Sequence, residues 1–254
     1  MIDYESLDCR PTYQTVFFAQ VAVNETIRKD MVRIIIALAG MNYPHCLDRK
    51  LTWVAIRSLD IFLSIYRVNS SDIVVVAVTA LFYATKLLQL KQLSNLDDLA
   101  IDCSNQDFLT LFNNFNTIVT KRRLGPCPID SVTKFCQKFH IPANFESQGL
   151  LLMEVSLLYP KVCLQRHDIL AAAVCGIVSK FDDLRGLVNV RDFYRHFRVN
   201  SGDLLASCVD LVTAYGFWRN ETKRRPLDCP VFAKFASSKY HNASTRLMVR
   251  HKPH

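Results

Sequence analysis

Glycine is scarce in this chain: only 7 of its 254 residues are Gly. Long stretches pass without the Gly or Pro clusters that mark turns, and this argues against a fold of many short strands. Half of the residues are hydrophobic and 21% are charged, as is typical of a globular protein with a substantial core. We therefore predict a mainly helical protein of one large or two small domains.

The sequence also lacks a long apolar run and a secretory leader. No apolar run approaches the roughly 20 residues that are needed to cross a bilayer. The N-terminal stretch MIDYESLDCR carries acidic residues where a leader peptide has an apolar core. We therefore expect a protein of the nucleus and cytoplasm that is not secreted.

None of the nine cysteines forms a CxxC pair. In a reducing compartment, such cysteines are typical of small apolar core residues. The pairs Cys136–His140 and Cys163–His167 could be drawn as a four-ligand zinc site. However, both cysteines lie in apolar helical patterns, and both histidines stand beside helix breaks. We predict no bound metal and no cofactor.

Catalytic motifs are missing as well. The chain has no Gly-rich phosphate loop, no HExxH and no GxSxG. Glu154, within LLLMEVSLLYP, could act as a general base in an apolar pocket, but we interpret it as the rim of an amphipathic helix. The paired acids Asp97 and Asp98 are interpreted as a polar helix start. Because no nucleophile, base and orienting group can be assembled, we predict that the protein is not an enzyme.

The positive charge is concentrated near the C-terminus. Residues 219–254 contain nine Lys or Arg and two acidic residues, a net charge of +7 out of the total of +8. The remaining 218 residues therefore carry +1, so the predicted folded part need not present a phosphate-binding face. We predict a flexible basic tail from residue 218. Within it, Lys223, Arg224 and Arg225 resemble a short nuclear-import signal, with a solubilising extension as the alternative.

Two apolar segments resemble each other along the chain. DIVVVAVTALFYATK begins at Asp72 and DILAAAVCGIVSK begins at Asp168, 96 residues later. A Val-Val-Val run alone favours a strand, but the length of the segment and its small residues at helical spacing favour a helix. A helix that is apolar all round belongs in a core. The repeat therefore predicts two modules, each with a central helix.

Hydrophobic spacing near 3.6 residues predicts further helices that surround these two apolar helices. The break KRRLGPCPID, at residues 121–130, is the best candidate for a linker. We predict an N-terminal segment at 1–24, a first bundle at 25–124, a second at 129–217 and the tail at 218–254. The predicted helices span residues 15–23, 26–41, 48–66, 71–88, 94–101, 105–121, 130–139, 145–158, 167–181, 189–198 and 201–216.

Several motifs resemble those of cyclins. SLDIFLSIYRV (58–68) is similar to the cyclin helix LDRFLS, and VTALFYATKL (78–87) is similar to its alliASK helix. In the second half, the segment that leads into DILAAAVCGIV resembles the PSxIAAAAV helix. DLLASCVDLVTAY (203–215) is similar to the last helix of D-type cyclins. The compact length and the order of the motifs resemble the divergent cyclins of gammaherpesviruses.

The resemblance implies two tandem five-helix cyclin-box bundles and a regulatory subunit that binds and activates a cyclin-dependent kinase, so promoting cell-cycle progression. The partner class of D-type cyclins is implied first, together with that kinase's substrates or inhibitors. Lys86 takes the place of the family's kinase-contacting lysine, and Phe115-Asn116 aligns with the family's Met-Glu pair. The first helix implies a substrate-docking patch at Ile27, Arg28 and Met31.

The alternative is a cyclin-box scaffold, like that of some transcription factors, which binds another protein or DNA without activating a kinase. DNA binding would need a basic stripe on the bundles, and the near-neutral charge outside residues 219–254 makes nucleic acid an improbable partner. Nothing in residues 219–254 has the apolar periodicity of a membrane-binding helix, and we predict no membrane partner.

Overall fold

A computed structural model describes residues 23–42, 50–90, 105–120, 124, 126–181 and 188–250. Over these residues every regular element is an α-helix or a short 3-10 helix, which confirms the all-α prediction. The chain divides into two compact units, residues 1–125 and 126–254. The helices predicted at 15–23 and 94–101 lie outside the described residues, apart from Val23.

The first unit is built around one central helix. Its described helices are α1 (Glu25–Asn42), α2 (Leu51–Leu63), α3 (Ile73–Leu87) and α4 (Asn105–Thr120). α3 packs against each of the other three, and its residues from Val75 to Leu81 are all buried. The burial of these successive residues accounts for the apolar sequence of the helix, and within the Val-rich run only Val74, which is 47% exposed, meets solvent. Ala77, Ala80 and Ala84 have no exposed surface, which allows close approach of the neighbouring helices.

A buried ion pair joins α1 to α2. The guanidinium of Arg28 donates two hydrogen bonds to Asp60, from Nε to Oδ1 and from a terminal nitrogen to Oδ2, each 2.7 Å long. Both side chains are fully buried. A bidentate pair of this kind gives each carboxylate oxygen a donor, and so offsets part of the cost of removing two charges from water.

The second unit is likewise built around a central helix, which contains the second apolar segment. Its first helices are α5 (Pro128–Lys138), α6 (Ala143–Leu157), the single turn α7 (Pro160–Cys163) and α8 (His167–Phe181), followed by α9 (Val190–Phe197) and α10 (Ser201–Arg224). α8 packs against α5, α6, α9 and α10. Its residues from Leu170 to Cys175 are completely buried, as the small and apolar sequence LAAAVC requires.

Asparagine and proline residues stabilise the N-termini of several helices. The side-chain oxygens of Asn189 and Asn200 accept hydrogen bonds from backbone N–H groups in the first turns of α9 and α10. Proline occupies the first position of α5 and α7, where a missing N–H costs nothing. Asn24 caps α1 in the same way, accepting from the Ile27 N–H at 3.0 Å.

The C-terminal region differs from the flexible tail predicted from residue 218. α10 continues to Arg224, and two further helices follow, α11 (Pro230–Phe235) and α12 (Ala243–Arg250). Both pack against α6. Three of their apolar side chains have almost no exposed surface, and these residues are Val231, Phe235 and Leu247. The segment 218–250 therefore packs onto the second unit and contributes buried side chains to its core.

Polar contacts hold this C-terminal region to the bundle. The ammonium of Lys234 on α11 pairs with the buried carboxylate of Glu154 on α6. The Tyr215 hydroxyl donates to the Leu247 carbonyl at 3.1 Å, and burial raises the pKa of Tyr215 to about 12. The Trp218 indole N–H donates to the sulfur of Cys229 at 3.2 Å. Glu154 is thus an internal ion-pair partner and not the rim residue that was predicted.

One described segment has the length and composition of a membrane span. The 18-residue window Ser70–Leu87 has a mean hydropathy of 1.4, yet 56% of it is buried inside the first unit. This window contains α3, so its apolar character is accounted for by its place at the centre of a helical bundle.

Candidate partner-binding surface

Lys86 stands at the exposed C-terminal end of the central helix of the first unit. The residues before it, Tyr83 to Thr85, are buried, whereas Lys86 and Leu87 are exposed. Its position in the last turn suits a cation, because carbonyl groups at a helix C-terminus carry partial negative charge. The central helix therefore presents one positive charge to solvent at this end.

The end of α3 is fixed by its backbone. The N–H of Leu90 bonds to the carbonyl of Thr85 at 2.9 Å, and the N–H of Gln89 bonds to that of Lys86 at 3.2 Å. Gln89 has φ of 54°, in the left-handed region. These are the two hydrogen bonds of a Schellman motif, a helix ending in which glycine usually takes the left-handed position. The motif holds the last turn, and with it Lys86, in a defined place.

Aromatic side chains position α4 beside α3. Phe82 on α3 forms T-shaped contacts with Phe108 and Phe112 on α4, with ring centroids 5.6 and 6.4 Å apart. The Lys86 ammonium lies over the Phe112 ring, 5.4 Å from its centroid. A cation over an aromatic face is attracted by the ring quadrupole. Phe112 therefore orients Lys86 along α4.

Phe115 does not take part in this surface. It is completely buried, stacking on Phe62 at 4.7 Å and lying 5.5 Å from the Tyr83 ring. The prediction that it contacts a partner is wrong, because the face of α4 that carries Phe108, Phe115 and Val119 is the core face. Asn116, the next residue, is half-buried, and its side-chain oxygen accepts from the Thr120 hydroxyl at 3.2 Å.

The predicted docking patch on α1 is also largely internal. Arg28 forms the buried pair with Asp60, and Met31 has no exposed surface. Ile27 is half-buried. The prediction is wrong for Arg28 and Met31, because these two residues face the bundle core. Of the three predicted residues, Ile27 alone is partly accessible to solvent.

The remaining predicted residues are distributed as follows. Lys223, Arg224 and Arg225 are exposed at the C-terminal end of α10. Cys136 and Cys163 are buried thiols, and His140 is exposed. Over the described residues, no three or more His, Cys, Asp or Glu side chains come together as a metal site would require. Asp97 and Asp98 lie outside the described residues.

Sequence reasoning missed Phe112 and Leu109. Leu109 is 52% exposed and lies one turn before Phe112 on the same side of α4. The available signal was spacing, because residues 109, 112 and 116 recur at the intervals that share one helix face. We name the surface formed by Lys86, Leu109, Phe112 and Asn116 the Lys86 face.

Comparison with known proteins identifies the fold. No protein-family model matches the sequence, and no curated protein matches it. Among solved structures, a viral cyclin from herpesvirus saimiri matches with a TM-score of 0.65 and 12% sequence identity. The match covers 82% of this chain and 94% of that one. At this identity the likeness shows the fold, so the predicted resemblance to viral cyclins is confirmed at the level of the fold.

Proposed function

We propose that this chain, with its cyclin fold, is a regulatory subunit that binds a cyclin-dependent protein kinase and activates it, and so promotes cell-cycle progression. The observation that carries the proposal is the position of Lys86. It lies at the exposed end of the central helix of the first unit, and the resemblance of VTALFYATKL to the family's helix is what suggests a kinase-contacting role for it. The protein would act without a catalytic site of its own.

Activation would follow from differential binding. A subunit that packs against the mobile C-helix of the kinase only in its active position lets the kinase's own Lys–Glu pair form. About 5.5 kcal/mol of preference for the active conformation converts a mostly inactive population into a mostly active one. The Lys86 ammonium, with its stem packed along α4, would donate to an oxygen acceptor on that helix. The partner kinases of D-type cyclins are the first candidates.

The proposal is tested by reversing the charge of Lys86. The chain carrying Lys86→Glu is expected to lose at least tenfold in affinity for a cyclin-dependent kinase, because the donor becomes a repelled carboxylate. Calorimetric titration and stimulation of kinase activity are the two readouts. Lys180→Glu is the matched control, since Lys180 is exposed in the last turn of α8, the central helix of the second unit.

The outcomes separate the two candidate functions. Unchanged affinity and unchanged stimulation in Lys86→Glu would contradict the proposal. Binding of the unaltered chain without stimulation of the kinase would favour the scaffold alternative. A steep salt dependence of DNA binding would favour a transcription-factor role instead.

We further propose that Lys223, Arg224 and Arg225 direct nuclear import. Their support is exposure, because all three side chains lie at the solvent-facing end of α10. A fluorescent fusion of the whole chain with all three changed to Ala is expected to shift from the nucleus to the cytoplasm. The control changes exposed Lys134, Lys180 and Lys239 to Ala. Equal distribution of the two variants would refute the signal.

A further inference from the structure

The longest of the described helices, α10, exposes a row of apolar side chains. Leu205, Val209 and Val212 each leave more than half of their surface in water. Their spacing of four and then three residues places them within about 60° of one another around the helix. The other sides of α10 pack against α6, α7 and α8. Single exposed apolar residues are common on protein surfaces, but an aligned row of them marks an interaction site.

Gly216 continues this row and leaves a gap in it. It is half-buried, and a Cβ added there would meet no neighbouring atom within 4 Å. Its φ lies outside the left-handed region, so the backbone does not require glycine, which is a poorer helix former than alanine. We interpret the gap as a space into which a facing helix inserts a side chain. Phe217, beside the gap, is also exposed, and aromatic side chains are enriched at the centres of binding surfaces.

One end of the row is positively charged. Lys223 lies seven residues after Gly216 and therefore on the same side of α10, and Arg224 follows it; both side chains are exposed. Glu221 is two residues from Lys223 and so about 200° away around the helix. Asp228 is the only acidic residue between residues 222 and 250. The C-terminal end of the row therefore favours a carboxylate from a partner.

Two other occupants fit this surface less well. A lipid surface is flat and makes no use of a gap at Gly216. A second copy of the chain brings the same row and the same positive end, because its Asp203 and Asp210 lie outside the row. Asp210 is also paired with Lys161, at 2.8 Å. A helix with an acidic end matches both the gap and the charge.

We propose that the Gly216 face, formed on α10 by Leu205, Val209, Val212, Gly216 and Lys223, binds an acidic amphipathic helix of a partner protein. The apolar side of that helix would cover the three aliphatic residues, and one of its side chains would enter the gap. A carboxylate near its end would accept hydrogen bonds from the lysine. The surface belongs to the second unit, so the inference goes beyond the kinase contact proposed for the first unit and does not depend on it.

The probe is a designed helical peptide of about 20 residues, with leucines spaced alternately three and four residues apart. The Glu peptide carries three glutamates in its first turn, the Lys peptide has three lysines in their place, and fluorescence anisotropy measures binding of each to the purified full chain. The unaltered chain is expected to bind the Glu peptide with a dissociation constant of about 10–100 µM, because the face is smaller than the roughly 800 Å² per partner of a standard interface. It should bind the Lys peptide about fivefold more weakly, and the double change Lys223→Glu, Arg224→Glu should reverse this preference. Gly216→Leu fills the gap and should weaken binding of the Glu peptide about fivefold.

Val209→Glu is expected to weaken binding of the Glu peptide about tenfold or more, because a carboxylate replaces an apolar contact. Val190→Glu is the matched control, since Val190 is similarly exposed but lies on α9, and it should change the affinity less than about twofold. Thermal melting confirms that each variant is folded. Absence of peptide binding, equal affinity of the unaltered chain for the two peptides, or equal effects of the two valine changes would overturn the proposal. Self-association of the chain, or its binding to phosphatidylcholine–phosphatidylserine vesicles, would also overturn it if Val209→Glu abolished that behaviour.

Discussion

Arg28 is fully buried in the first unit, and its guanidinium forms an ion pair with the equally buried carboxylate of Asp60. Replacing Arg28 with Met should therefore lower the free energy of unfolding by about 3–5 kcal/mol, because the Asp60 charge remains buried without its partner. Denaturant titration of the full chain measures the change.

The control for this prediction lies on the same helix. Arg33 pairs with Asp30 at 3.1 Å, but its side chain is one-third exposed. Arg33→Met should cost no more than about 1 kcal/mol, because such pairs contribute little in water. Replacing Arg28 and Asp60 together with apolar residues should recover much of the loss. Equal destabilisation by the two single changes would contradict this account.

Two helical glycines make a second contrast between residues. A Cβ added at Gly216 would meet no atom within 4 Å, whereas one added at Gly149 would lie 3.3 Å from Val132 Cγ1 and 3.5 Å from Val174 Cγ1. Gly216→Ala should therefore raise the free energy of unfolding by about 0.5–1 kcal/mol, since alanine is the better helix former. Gly149→Ala should give less than this or destabilise, because Val132 must shift. Thermal melting of both variants tests the difference.

The failed predictions of site residues have a common physical reason. Hydrophobic spacing assigns Met31 and Phe115 to an apolar face, but it does not say whether that face meets the core or a partner. Arg28 was expected to be accessible, because arginine is seldom fully buried unless it is paired. Its partner Asp60 is 32 residues away in the sequence. The exposure of Lys86 could be predicted, because a charge that ends an apolar helix must reach water.

At the scale of helices, the apolar pattern was most informative where burial is greatest. α8 begins and ends at the residues that its pattern predicted, 167 and 181. The C-terminal helices were missed because their buried residues are separated by many charged ones. Trp218, Val231, Phe235 and Leu247 lie within a segment whose overall composition is that of a solvated tail. Net charge therefore concealed a sparse apolar pattern.

The docking of α9 on α5 should depend on pH. The His196 ring packs against Phe135 and Phe139, with centroids 5.6 and 5.9 Å apart. Burial, together with the nearby Lys138 charge, lowers the pKa of His196, and a hydrogen bond to the Ser131 backbone opposes this shift. Because the folded pKa lies below the unfolded one, the stabilisation is complete above about pH 6.5 and is lost as the pH falls through the folded value.

Hydrogen exchange at two pH values measures this effect. Protection of the α9 amides, corrected for intrinsic exchange rates, should decrease between about pH 7 and pH 5. His196→Phe, which keeps an aromatic ring but cannot take up a proton, should remove most of that decrease. Retention of the full decrease in this variant would assign the pH dependence to other groups.

At the scale of the whole molecule, the second unit is completed by C-terminal helices whose overall composition is that of a tail. Deleting residues 225–254 should lower the free energy of unfolding by several kcal/mol, because buried Val, Leu and Phe side chains contribute about 1.5–3 kcal/mol each. It also leaves the Glu154 carboxylate without Lys234. Denaturant titration should show the loss, and a variant that changes only Lys239 to Ala should show almost none.

The ion pair between Glu154 and Lys234 also has a consequence during synthesis on the ribosome. Eighty residues separate the two partners, and at about 5–20 residues per second that interval takes roughly 4–16 s. During this interval α6 has been synthesised, but α11 and α12, which pack against it, have not. Chaperones that recognise apolar surface therefore have a window of several seconds in which to engage it, and slowing translation between these two codons should lengthen their occupancy.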